Sequence, residues 1–103
     1  MKKYDKLVRD KIPTIIRESG SSCKTRTIKS DEIETYYRRK IQEELDELFE
    51  NPCAEEMADL MEVVDSLRTV LDLRIEKVID VKCAKRNERG TFKNGTILIH
   101  VEE

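Results

Sequence analysis

The chain has 103 residues, enough for one domain whose core is small enough that association of copies would help to complete it. Its net charge is only −2, yet charged residues make up 41% of it and are segregated: residues 1–29 hold nine Lys/Arg against three Asp/Glu, residues 41–65 hold ten acids and no base, and residues 82–93 hold five bases and one acid. A nucleic-acid polymer wants a continuous basic surface and is excluded by that acidic middle, whereas acid in the centre and base at both ends suits a polyphosphate held with metal ions.

Residues 1–9 read as extended. Asp10 is placed to cap a short helix running through Pro13 to about Ser19, with Gly20 as its stop. Residues 21–29 are polar, with Thr25, Thr27 and Ile28 alternating weakly as in a strand. Ser30 then caps the first long helix, and Asp31 and Glu32 lie in its first turn, where the helix dipole favours acids. That helix carries Ile33, Tyr37, Ile41, Leu45, Leu48 and Phe49 on one face and ends near Glu50. A second long helix spans about Pro52 to Leu71, with Met57, Leu60, Met61, Val64, Leu67 and Leu71 at core spacing. A third runs from about Asp72 to Arg89 and stops at Gly90. Asn94-Gly95 marks a turn before a strand-like Thr96–Val101. The expected fold is all-α with short extended terminal segments. The apolar stripe of the second long helix is broader than one partner helix covers, so a homodimer that completes a four-helix bundle is expected.

Between the two long helices lies Asn51-Pro52. Pro is disfavoured inside a helix but welcome in its first turn, and Asn caps well, so the chain should reverse here as a helical hairpin. With the turn centred between Asn51 and Pro52, Glu47 faces the level of Glu56, and Glu44 that of Asp59. Of the acids in residues 41–65, these alone have acidic mirror positions. On the helical wheel Glu44 falls beside Tyr37, Ile41 and Leu48, and Glu56 falls between Val63, Leu67 and Leu60. Glu47 and Asp59 border those stripes, while Glu43, Asp46 and Glu50 share the solvent side. Inward carboxylates are costly unless they are paired with cations or bound to metal, and four that converge repel one another. All-oxygen ligands suit a hard ion, Mg2+ or Mn2+. The competing reading is a solvated or salt-bridged face, because Glu-x-x-Glu arises easily in so charged a chain.

Cys23, Cys53 and Cys83 are odd in number and lack C-x-x-C spacing, so they read as reduced thiols of a cytoplasmic protein. His100 is the only histidine, which removes histidine-rich metal sites and leaves little room for a catalytic triad. No run is long enough to span a bilayer and no signal-peptide pattern opens the chain, so no membrane partner is expected.

K-I-Q-E-E-L-D-E at 40–47 followed by E-E-M-A-D-L at 55–60 resembles the E-E-x-x-E…E-x-x-D signature of MazG-like nucleotide pyrophosphohydrolases. Y-D-K-L-V-R-D-K-I-P at 4–13 and E-R-G-T-F-K at 88–93 look like the ends of its phosphoribosyl-ATP pyrophosphohydrolase-like branch, so that the resemblance covers nearly the whole chain as a single domain, 1–103. Two departures are visible. Only eight residues separate Glu47 from Glu56, and Thr91 stands where this branch often has a second Gly.

The resemblance implies hydrolysis of a nucleoside triphosphate to monophosphate and pyrophosphate, with Glu44, Glu47, Glu56 and Asp59 as ligands of catalytic Mg2+. Lys40, one turn before Glu44, is a candidate for the phosphates. So are Lys85 and Arg89, which match the family's C-terminal basic pair, and Arg9 and Lys11 in the N-terminal block. For each base a surface ion pair is the competing reading. Glu43 matches the first Glu of the signature but faces away from the stripe, and ranks as surface or as a support to the ligands. The alternatives are a strict phosphoribosyl-ATP pyrophosphohydrolase and, from another class, a non-catalytic helical dimer that binds a nucleotide or a protein.

Overall fold

The computed structural model describes residues 1–102, and among them every regular element is helical. These are α1 (Ile12–Glu18), a 3-10 turn (Ser30–Glu32), α2 (Ile33–Glu50), α3 (Ala54–Val70) and α4 (Ile75–Arg89). The all-α expectation holds. The strand-like patterns at 25–28 and 96–101 form no strand, because a strand needs a partner ladder and neither stretch has one among the described residues. The turn at Asn94-Gly95 does form, closed by the Gly95 amide on the Phe92 carbonyl at 3.1 Å. Backbone contacts divide the chain into two compact units, Met1–Leu67 and Arg68 onward, so α3 crosses from the first into the second.

In the first unit, α1 starts later than expected. Lys11, not Asp10, is its cap residue, and Pro13 fills the first turn, where no amide is needed. Its end closes as a Schellman turn: Ser21 N–H reaches the Ile16 carbonyl at 3.3 Å and Gly20 N–H that of Arg17 at 3.1 Å. Gly20 sits at φ +95°, which an L side chain would strain. The start of α2 also departs from the expected Ser30 cap. Ser30 lies inside the 3-10 turn, and the Glu32 carboxylate reaches back instead to accept the Lys29 amide at 3.0 Å.

The hairpin between α2 and α3 has the expected centre. Tyr37 and Ser66 are equally distant in sequence from Asn51-Pro52, and their hydroxyls meet at 2.7 Å. Tyr37 is the one buried hydrophobic residue among those described. Burying such a ring contributes about 1.5–3 kcal/mol, and the Ser66 partner removes the cost of an unsatisfied hydroxyl. Pro52 falls in the turn rather than in α3, whose first amide bond runs from Met57 to the Cys53 carbonyl. The α3 residues Glu56, Asp59, Leu60, Val63 and Leu67 are half-buried at helical spacing, whereas Met57, Met61 and Val64 are exposed. The broad stripe thus splits, one side sheltered and the other uncovered. Phe49, placed in the core from sequence, is 77% exposed. It lies in the last turn of α2, beside the exposed turn residues 51–53.

In the second unit, α3 ends with another Schellman turn, Leu73 N–H on Arg68 and Asp72 N–H on Thr69. Asp72 takes the left-handed position at φ +57° that glycine usually fills, and its short polar side chain tolerates it. This overturns the expected start of α4 at Asp72: that residue closes the preceding helix, and α4 begins at Ile75 after the extended cap Arg74. Gly90 ends α4 as expected, at φ +83°. No residue of α4 is buried.

A carboxylate cluster inside the helical hairpin

The hairpin's register brings Glu44 of α2 level with Glu56 and Asp59 of α3. One carboxylate oxygen from each lies within 4.8 Å of the others. Glu44 is only 6% exposed, although it is charged. Its Oε1 lies 3.2 Å from Lys40 Nζ, but its Oε2 is buried without a hydrogen-bond partner, and so is Oε2 of Glu56. A buried carboxylate oxygen left unpaired is costly. A divalent cation fits this set: three hard oxygen donors converge, and two of the residues have an oxygen in want of a positive partner.

Glu47 stands outside this trio but beside it. Repulsion from Glu44, then burial, then a hydrogen bond shared with Glu44 hold its carboxyl above the ordinary 4.5, with Glu56 adding to the effect. Asp46 points elsewhere, exposed and accepting a hydrogen bond from Gln42 at 2.8 Å, as the helical wheel places it.

Lys40, proposed from sequence for phosphate, is engaged with carboxylates, 3.1 Å from Glu43 and 3.2 Å from Glu44. Burial pulls its ammonium down, but the hydrogen bonds to Glu43 and Glu44 together outweigh this and leave it above its ordinary value. Glu43 receives both Lys40 and Lys6, each at 3.1 Å. Burial pushes its carboxyl up, and those two ammonium groups more than offset it. Glu43 therefore carries lysines rather than joining the trio. Arg9, fifty residues away in sequence, donates to Asp59 Oδ1 at 2.8 Å. Lys11 caps α1 with its backbone, and its exposed side chain joins none of these ion pairs. Lys85 and Arg89 are an exposed pair one turn apart on α4, in the second unit.

Sequence reasoning missed the clasp that fastens the N-terminal residues to α2. Arg26 grips Glu32 through two hydrogen bonds at 2.8 and 2.9 Å and also reaches the Tyr36 hydroxyl at 3.0 Å. That hydroxyl donates to Asp5 at 2.6 Å, and the guanidinium groups of Arg26 and Arg39 lie over the Tyr36 ring. The Arg26 hydrogen bonds hold Glu32 down to about 2. The Tyr36 phenol is pushed up by its hydrogen bond to Asp5. No local signal marks these pairs, whereas the mirror spacing of Tyr37 and Ser66 about the turn was there to be found.

Compared with known proteins, the chain matches no family model, no curated protein and no solved structure. Among the described residues no helix is long and apolar enough to cross a membrane.

Proposed function

We propose that this chain is a MazG-like nucleotide pyrophosphohydrolase that uses Mg2+, or Mn2+ in its place, to convert a nucleoside triphosphate to monophosphate and pyrophosphate. The observation that carries the reading is the pair of buried, partnerless oxygens on Glu44 and Glu56, beside Asp59. A helical scaffold gains nothing from such a cluster, while a metal site needs one. The three sequence blocks, in order, support the substrate class.

When bound, Mg2+ would screen the triphosphate charge and lower the pKa of a water for attack at phosphorus. Glu44, Glu56 and Asp59 would hold the ion, with Glu47 at hand as a fourth carboxylate. Lys40, paired with Glu44 Oε1, would hold that side chain in place. Phosphoryl transfer depends largely on positioning and charge stabilisation, and Arg9, Lys11, Lys85 and Arg89 are the bases offered for the phosphates. Copies of the chain would associate as a homodimer or higher homo-oligomer, completing a four-helix bundle. The uncovered Met57, Met61 and Val64 of α3 and the bare apolar residues of α4 support this. The setting is cytoplasmic, and the role is clearance of surplus or damaged nucleotides.

Pyrophosphate release from a nucleotide panel, in Mg2+ and in EDTA, tests the reading. Release from several triphosphates in Mg2+ alone is expected. Release from phosphoribosyl-ATP alone would point to the narrower hydrolase. Nucleotide binding without release would point to a non-catalytic dimer. Melting curves should also rise in millimolar Mg2+, because the ion binds only the native cluster. Identical curves in Mg2+ and EDTA would count heavily against the metal.

A further inference from the structure

Two observations meet at Asp59. The first is a strap. Residues 1–9 form no regular element, yet three of them are fastened to the hairpin. Asp5 accepts the Tyr36 hydroxyl at 2.6 Å and lies 3.9 Å from Arg39, and Lys6 donates to Glu43 at 3.1 Å. Arg9 then crosses to α3 and places its guanidinium 2.8 Å from Asp59 Oδ1. The second observation is the uneven compensation of the cluster. Glu44 and Glu56 each keep a buried oxygen with no partner; the cation on Glu44 is Lys40 of its own helix, whereas the cation on Asp59 is brought from outside the hairpin by the strap.

From this geometry we infer that Arg9 is a tethered counter-ion which a divalent cation displaces from Asp59, so that filling the cluster and releasing the strap's far end are linked. The inference rests on the metal reading given above. An ion held by Glu44, Glu56 and Asp59 would lie close to the guanidinium, and two cations sharing one exposed carboxylate repel each other. The strap would stay attached through Asp5 and Lys6, so the freed Arg9 remains beside the cluster, available to an anion such as a polyphosphate. Arg9 and Asp59 are about half exposed, at 56% and 42%, so their pair is weak and can be displaced.

Linkage requires that removing the competitor tighten the metal. Mn2+ titration by calorimetry should give Arg9→Ala a dissociation constant about two- to fivefold lower than the parent, the range that an exposed ion pair allows. Arg9→Lys should fall between them. Lys3→Ala, which removes an exposed charge from the same segment, should leave the affinity unchanged. Equal or weaker Mn2+ binding by Arg9→Ala overturns the inference while leaving the metal site standing, and equal tightening by Lys3→Ala reduces it to net charge. A folded parent that binds no Mn2+ removes the metal reading itself. On the unaltered chain, the side-chain Nε–H resonance of Arg9 should move towards that of a free arginine as Mg2+ is added. A resonance that stays in place at saturating Mg2+ would also overturn the exchange.

Discussion

Helices α2 and α4 are of similar length, 18 and 15 residues, and both are densely charged, yet they are stabilised by different means. α2 places apolar residues at intervals of three and four from Ile33 to Leu48 and contains both buried residues of those described, Tyr37 and Glu44. Its start is bound by the Glu32 carboxylate, and its face by the clasp around Tyr36. α4 has a short stripe of Ile75, Val78, Ile79 and Cys83, gives way to Lys85, Arg86 and Arg89, and buries nothing. Its β-branched residues are modest helix formers, and an isolated helix of this length is marginal in water. What separates them is a partner within the chain. α2 meets α3 through Tyr37–Ser66 and the carboxylates, whereas the apolar side of α4 is uncovered in its own unit.

The largest effect should come from the interior of the hairpin. Glu47→Gln and Asp59→Asn should each lower pyrophosphate release on the order of 100-fold or more, since even groups that only support metal ligands cost up to that much. Circular dichroism should show the helices intact. Asp46→Asn, on the exposed side of α2, should behave like the parent. If Asp46→Asn were as damaging as Glu47→Gln, the site would not lie on the inward face.

Next comes the uncovered helix. If a second copy covers α4, Ile79→Asp puts a charge into that contact and should weaken self-association about 30-fold, the loss expected of a central apolar anchor. Sedimentation equilibrium measures it, and helicity should fall with the association. A parent that is monomeric at assay concentration and fully active would break the contrast between the two helices. Tyr37→Phe should cost less, about 1–1.5 kcal/mol, because Ser66 loses its partner while the ring stays buried. For a domain of this size that is a fall in Tm of roughly 4–12 °C. A change below 1 °C would mean that Tyr37–Ser66 does not hold the hairpin together.

The hairpin was legible because its determinants are local or repetitive. Asn51-Pro52 punctuates two periodic stretches, and mirror positions about it follow from helix geometry alone, so Glu44 opposite Asp59 and Tyr37 opposite Ser66 are one and the same register. Helix ends were less legible. Asp72 and Ser30 both look like N-caps, but Asp72 takes the left-handed position that closes α3, and Glu32 takes over the capping for which Ser30 was expected. The partner of Arg9 could not be read, whereas those of Lys40 lie three and four residues on along its own helix. Whether an arginine pairs with a carboxylate or awaits a phosphate depends on contacts fifty residues apart, to which periodicity is blind.

The smallest effect concerns Glu47 and separates the two kinds of carboxylate in the first unit. Glu32 is held down to about 2 by Arg26, so its contribution is complete above the ordinary 4.5 and is lost only as pH falls towards 2. Glu47 is held up by Glu44, so the folded state keeps its proton where the unfolded chain has released it. Its contribution is therefore present below 4.5 and lost as pH rises through its raised value. The two windows meet at 4.5 and do not overlap. In EDTA, urea unfolding between pH 4.5 and 7 should show the parent losing stability relative to Glu47→Gln, which cannot ionise. Mg2+ should remove the difference in slope by supplying the missing positive charge. Parallel pH profiles for the parent and Glu47→Gln in EDTA would mean that repulsion from Glu44 does not act on Glu47, and the inward face of the hairpin would then hold three interacting carboxylates rather than four.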